Sequence, residues 1–121
     1  CSRESVDLFN PKTIQASMGS FARVKVHYTD PDQLFREIKD FPDYPLMATL
    51  LKGSNIYETE LPSKGMIFFG NESKGLSNII SDNCPLKITI PPMSRSMAES
   101  LNLAISTGII CSEFRRRSYS K

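Results

Sequence analysis

Two hydrophobic periods take turns along the chain. From Arg23 to Tyr28, Val24 and Val26 alternate with Lys25 and His27, the pattern of a strand with one solvated face. Leu46 to Leu51, Gly65 to Phe69 and Leu86 to Ile90 are apolar runs of strand length. Helical signals lie between and around them. Asn10-Pro11 joins a capping side chain to a proline at the first helical position, which predicts a helix from Pro11 to Met18 that stops at Gly19. Asp30-Pro31-Asp32 opens a second helix with Leu34, Phe35 and Ile38 as its apolar stripe. A short helix is predicted over Leu76 to Ser81 and a long one from Met97 to Arg116. Phe41-Pro42-Asp43-Tyr44-Pro45 reads as a turn, while Gly53 and Pro91-Pro92 end strands. Strands alternating with helices predict one α/β domain, a largely parallel sheet flanked by helices.

Composition narrows the class without naming a function. The 121 residues suffice for a real core, and a net charge of +2 does not by itself call for nucleic acid. The clustered Arg115, Arg116 and Arg117 matter more than the sum. They read either as cations favoured at a helix C-terminus or as a site for phosphates. Cys1, Cys84 and Cys111 show no metal-ligand spacing and no disulfide framework, which points to a reducing, cytoplasmic setting. Leu101 to Cys111 is too short and too polar to span a membrane. Because the chain opens on Cys1, it is expected to be part of something longer. His27, the one histidine, falls on the polar phase of its strand, and a general base needs a cleft and a partner.

The candidate chemistry begins where the apolar run Gly65 to Phe69 breaks into Gly70-Asn71-Glu72-Ser73-Lys74-Gly75. Ligands of open α/β sheets bind outside the carboxyl ends of strands, and this loop occupies such a place. Gly70, Gly75 and Ser77 have the spacing of a phosphate-binding loop, but Leu76 stands where that motif needs its lysine, so a nucleoside-triphosphate site is disfavoured. Glu72 either holds a polar group of a ligand or serves the turn. A second candidate is the segment Ile90 to Ala104, where a polar run precedes an apolar helix carrying Ser100 and Asn102 near its start. Spare amide donors there favour an anion, and the plainer reading is helix capping by Ser96 or Ser100.

The ordered segments Phe69 to Ser77, Ile88 to Pro91 and Glu99-Ser100-Leu101-Asn102-Leu103-Ala104 resemble the second and third signature motifs of the SpoU–TrmH RNA ribose 2′-O-methyltransferases. Asp7 to Phe21 resembles the same family's Asn/Ser-Pro-Lys…Ala-Ser-Met-Gly stretch, and Ala48 to Gly53 its strand-end loop. The resemblance implies a deep trefoil knot, a rare exception among folds. It also implies S-adenosylmethionine bound in the knot crevice, no metal, rRNA or tRNA as partner, and a homodimer. Carried onto this sequence, the cofactor crevice would involve Thr49, Leu50, Gly70, Asn71, Ile90, Met93 and Leu101. Glu72, Ser100 and Asn102 match positions that organise the active site, and Asn10, Lys12, Arg115 and Arg116 are candidate RNA contacts. The family's first signature, an Asn-rich segment ending in an arginine implicated in activating the ribose hydroxyl, has no match here, so the chain is expected to be the C-terminal part of a catalytic domain, weakly active or inactive alone. Gln15 stands where many members carry arginine.

A different class of function is also open: a non-catalytic RNA-binding or assembly module that retains the knot. The last helix bears on the partner question. Leu101, Ala104, Ile105 and Gly108 form one apolar stripe, and Leu103, Ile110 and Phe114, with Thr107 between, form another. A helix apolar on two sides is expected to be buried on two sides, one against the sheet and one against a partner subunit.

Overall fold

The computed structural model describes residues 1–38, 43–71, 73–92 and 101–119. The chain divides into two compact units, Cys1–Asp40 and Phe41–Lys121.

The first unit is helical. Helix α1 spans Pro11–Ser17, and the Asn10 side chain caps it by accepting from the Lys12 amide at 2.9 Å. It ends with Met18 and Gly19 both in the left-handed region, one residue short of the expected boundary. A 3-10 turn over Ser20–Arg23 follows, and α2 spans Pro31–Ile38 with Phe35 buried on the predicted stripe. The strand expected over Arg23 to Tyr28 does not form. Arg23 closes the 3-10 turn, and 24–30 have no regular structure. Alternation supplies a face but not a neighbour, and a strand exists only through the ladder that satisfies its backbone groups. Here the segment is tied down by single bonds instead. Thr29 donates its amide to the Cys1 carbonyl and Tyr28 its hydroxyl to the Val6 carbonyl.

The second unit is built on a three-stranded parallel sheet of order β2-β1-β3. Strand β1 spans Leu46–Asn55, β2 Met66–Phe68 and β3 Leu86–Thr89. Met47 and Ala48 are fully buried in the central strand, as expected where both faces of a parallel sheet are covered. Gly53 does not end β1. Residues 50–53 leave the ladder, which pairs Thr49 with Ile88, shifts, and resumes with Ser54 on Ile88 and Asn55 on Thr89. A Cβ on Gly53 would lie 2.8 Å from the Ile88 carbonyl carbon, so the return to the ladder requires a residue without one.

Helix α3 spans Asn78–Asn83, two residues later than the sequence pattern predicts. Leu76 cannot begin it. The chain leaves Gly75 in the left-handed region, and Ser77 is still extended. Helix α4 spans Leu103–Tyr119. The expected start at Met97 lies outside the described residues, and Leu101 and Asn102 are not helical. α4 lays Ile110 and Phe114 against a core of Ile56, Leu61 and Ile88, joined by Ile67, Phe69, Leu86 and Ile90. Its other stripe, Leu101, Ala104, Ile105 and Gly108, is exposed. Burial on two sides is therefore not a property of this chain by itself.

Gly53→Ala should lower the stability of the chain by roughly 1 to 3 kcal/mol, the usual cost of forcing an extra carbon into a fitted site. Urea denaturation of the two proteins measures it, and equal midpoints would show that the excursion can move away from Ile88.

Candidate functional site

Of the sequence-predicted cofactor residues, Gly70 and Asn71 follow the end of β2 and Ile90 the end of β3, while Thr49 and Leu50 lie within β1 where its first paired stretch ends. The loop after β2 is a closed turn. Asn71 and Gly75 exchange main-chain bonds of 3.1 and 2.8 Å, forming an isolated bridge. The Asn71 side-chain oxygen accepts from the Ser73 amide at 2.9 Å, the Ser73 hydroxyl at 2.7 Å and the Lys74 amide at 3.3 Å. This is the local competition with regular structure for which asparagine is suited. Gly75 supplies the positive φ of 67° that the turn needs. Gly70 has a different reason to be glycine: a Cβ there would meet the Gly75 carbonyl carbon at 2.5 Å and the Leu76 nitrogen at 2.7 Å. Glu72 lies outside the described residues.

Threonines join the strand ends. Thr49 donates its hydroxyl to the Phe68 carbonyl at 3.1 Å, tying the end of β1's first paired stretch to the residue before Phe69-Gly70. Thr89 reaches two carbonyls at 3.4 Å, those of Leu51 and Ile90. Leu50 and Ile90 are half-buried beside these bonds, and Ile90 packs against the core. Thr89 was not foreseen. Its place at the end of a buried strand, just before Ile90-Pro91-Pro92, is the one signal the sequence carried.

At the start of α4, Asn102 is the cap that the sequence assigns to Ser96 or Ser100. Its Oδ1 accepts from the Ala104 and Ile105 amides at 3.0 and 3.3 Å, and its carbonyl accepts from Ser106. Leu101 is 47% exposed. Met93 and Ser100 lie outside the described residues. Of the expected crevice, the structure thus brings Thr49, Leu50, Gly70, Asn71 and Ile90 to one end of the sheet, with Asn102 engaged in its own helix.

The far end of α4 holds a charged cluster that sequence reasoning treated as surface. Glu113 is only 6% exposed and both its oxygens are bonded. Oε1 accepts from Arg116 and Arg117 at 2.7 Å each, and Oε2 from Arg116 at 2.8 Å. These hydrogen bonds hold the Glu113 carboxyl down to about 2 from its ordinary 4.5, and they raise the Arg116 guanidinium in turn. Arg117 does not face solvent as a phosphate contact should. It also donates to the main-chain carbonyls of Ile56, at 2.7 Å, and Thr59. The spacing Glu113, Arg116, Arg117 is that of facing helix positions, the signal that could have disclosed the cluster. Arg115 donates to the Tyr119 hydroxyl at 2.8 Å and lies 4.6 Å from its ring centre. In the first unit, Lys12 is exposed, and the Asn10 side chain serves α1. Cys84 is buried, which pushes its thiol up, with Lys87 opposing. Among the described residues no cluster of His, Cys, Asp or Glu could hold a metal, and no helix is long and apolar enough to cross a membrane.

Half-buried Leu50 and Ile90 and a tight glycine turn thus lie near strand ends of a parallel sheet, the region where open α/β sheets bind ligands. The sequence profile of the SpoU rRNA Methylase family matches residues 1–112, and the chain belongs to that family. The chain is 27% identical over 89 residues to a 23S rRNA (guanosine-2′-O-)-methyltransferase of Neisseria meningitidis, an alignment covering 74% of this chain and 35% of the relative. A Porphyromonas gingivalis structure assigned to the TrmH family of RNA methyltransferases superposes with a TM-score of 0.83 at 36% identity, over 96% of this chain and 47% of that one. An rRNA methyltransferase of Sinorhizobium meliloti, solved with S-adenosylmethionine bound, gives 0.80 at 29% identity, over 96% and 44%. The chain spans about a third of the length of the curated relatives it matches.

Because the folded-state value of Glu113 is depressed, its contribution to stability is complete above 4.5 and is lost as pH falls from there toward about 2. Glu113→Gln should be less stable than the parent at neutral pH, and the gap should close across that acid window. Thermal unfolding of both proteins against pH checks this; a gap independent of pH would mean that the carboxylate is not held by the two arginines.

Proposed function

We propose that this chain supplies the methyl-donor crevice of an RNA ribose 2′-O-methyltransferase that acts on rRNA or tRNA. The observation that carries the reading is the set of hydrogen bonds joining Thr49 to Phe68 and Thr89 to Leu51 and Ile90 across the parallel strands, in a fold whose Sinorhizobium relative was solved with S-adenosylmethionine bound. The residues present fit that cofactor. Leu50 and Ile90 offer an apolar slot for the adenine. The Gly70 and Gly75 turn lets main chain approach closely where side chains would block it. Asn71 and Thr89 hold the surrounding carbonyls and amides in place.

When bound, S-adenosylmethionine supplies an activated methyl group, so the chain's own task is to hold the donor, orient it and keep water from its sulfonium. Attack by a ribose 2′-hydroxyl requires that its proton be removed or strongly drawn away. Glu72, Ser100 and Asn102 are assigned to organising that site. None of the three is assigned as the base, since the arginine-bearing motif of the family has no counterpart among these residues. The chain works as part of a larger catalytic unit, in a reducing cytoplasmic setting. The fold likeness supports a deep trefoil knot in the segment that ends in α4.

Substrate contacts are assigned to Asn10 and Lys12 in the first unit and to Arg115 and Arg116 on α4. Phosphate neutralisation by such groups makes RNA affinity fall with salt. The exposed stripe Leu101, Ala104, Ile105 and Gly108 is assigned to a homodimer contact. In its support, Ile105 is 56% exposed, and among the described residues nothing outside the helix's own backbone lies within 4 Å of where a Gly108 Cβ would stand. A neighbouring backbone could approach closely there.

Isothermal titration should show that the chain binds S-adenosylmethionine or S-adenosylhomocysteine weakly, while ATP and GTP give no heat. Gly70→Ala should abolish the binding through the 2.5 Å clash at Gly75. RNA retention with no cofactor binding would replace this reading with that of a non-catalytic RNA-binding module. Methylation by this chain at the rate of a full-length relative would overturn the assignment of the base to residues outside it.

Ile105→Glu should turn a dimer into a monomer without loss of helical signal, because the position is exposed in the single chain. Sedimentation equilibrium reads the mass. A monomer for the parent protein at tens of micromolar would remove the dimer assignment.

A further inference from the structure

We infer that Arg117, held by Glu113, is a positioning residue for the methyl-donor crevice, acting on it through the main chain of Ile56 and the side chain of Thr89. The inference rests on the cofactor reading above and goes beyond it, because Arg117 lies at the opposite end of α4 from Asn102 and Leu101.

The physical path is short. Arg117 uses all three of its guanidinium nitrogens: Nε on Glu113 at 2.7 Å, Nη2 on the Ile56 carbonyl at 2.7 Å, and Nη1 on the Thr59 carbonyl. Ile56 is fully buried, and its amide donates to the Thr89 carbonyl at 2.9 Å. Thr89 in turn places its hydroxyl within 3.4 Å of the carbonyls of Leu51 and Ile90, which adjoin the two sides of the proposed adenine slot. The bonds at Ile56 are short and made to main chain, which leaves little slack there, while the one Thr89 hydroxyl proton is shared by two longer contacts. The stretch needs such an anchor. Residues 50–53 have left the ladder, and β1 regains β3 only through Ser54 and Asn55 just before Ile56.

Glu113 gives the arrangement its direction. A guanidinium pointed at two carbonyls carries a charge into a half-buried place, and the bonded carboxylate at i−4 both neutralises and aims it. A lysine would keep the charge but not the planar fork that spans three acceptors at once. The role of Arg117 is therefore separable from its charge.

Arg117→Lys in the whole chain tests this with two readouts. In amide hydrogen exchange without ligand, the Ile56 amide should exchange at least about tenfold faster, while the amides of β1 around Met47 and Ala48 keep their protection. In calorimetry with S-adenosylhomocysteine, Kd should rise on the order of three- to tenfold, in the range by which residues without ligand contact change affinity. If circular dichroism shows that Arg117→Lys does not fold, Glu113→Gln takes its place under the same criteria. Faster exchange spread evenly over β1, or an unchanged Kd in a folded variant of a chain that binds, overturns the inference and leaves the cofactor reading intact. A parent chain that binds no S-adenosylhomocysteine sinks both.

Discussion

The parallel pairing of β1 with β3, broken at Thr49 and resumed at Ser54, governs the rest of the second unit. Before the break, Met47 and Ala48 lie in the buried middle of the sheet, and β1 holds β2 on its other side. After it, Ile56 completes a core with Ile88, Leu61 and Ile110. The excursion between lets one strand do both tasks. It frees Leu50 and Leu51 from the ladder near the site while the same strand returns to the interior. Only a glycine at position 53 lets the chain pass so close to the Ile88 backbone.

Helix α4 is held to this sheet by two unlike forces. Ile110 and Phe114 contribute apolar burial, which is strong but says little about the helix's rotation or register. The Glu113–Arg117 pair and the two carbonyls it addresses are directional and so specify both. The register of α4 against the second unit is thus set near its C-terminal end.

The elements that local chemistry dictates were legible in the sequence. Asn10-Pro11 and Pro31 start helices where structure finds them, and the buried runs at 46, 66 and 86 are strands. Three of the failures share one cause, that the deciding partner was not local. Val24 and Val26 alternate correctly but have no neighbouring strand among the described residues. Gly53 looked like a stop because its backbone neighbour, Ile88, is far off in sequence. Arg117 looked like one of three surface arginines, and its carbonyl partners are 58 and 61 residues away. In the site, the glycine turn and Asn102 could be singled out in advance, but not that Asn71 would spend its side chain on its own turn and Asn102 on capping α4. Motif matching found the positions; hydrogen bonding assigned the tasks.

The turn after β2 has a further consequence for recognition. Every hydrogen bond described in it is internal, from Asn71 to Gly75 and from Ser73 and Lys74 to the Asn71 side chain. The described residues of this loop are held by their own bonds, so the entropy of ordering them is lost when the chain folds rather than when a ligand arrives. Residues beyond this turn could then be changed without first having to reorder Asn71, Ser73, Lys74 and Gly75.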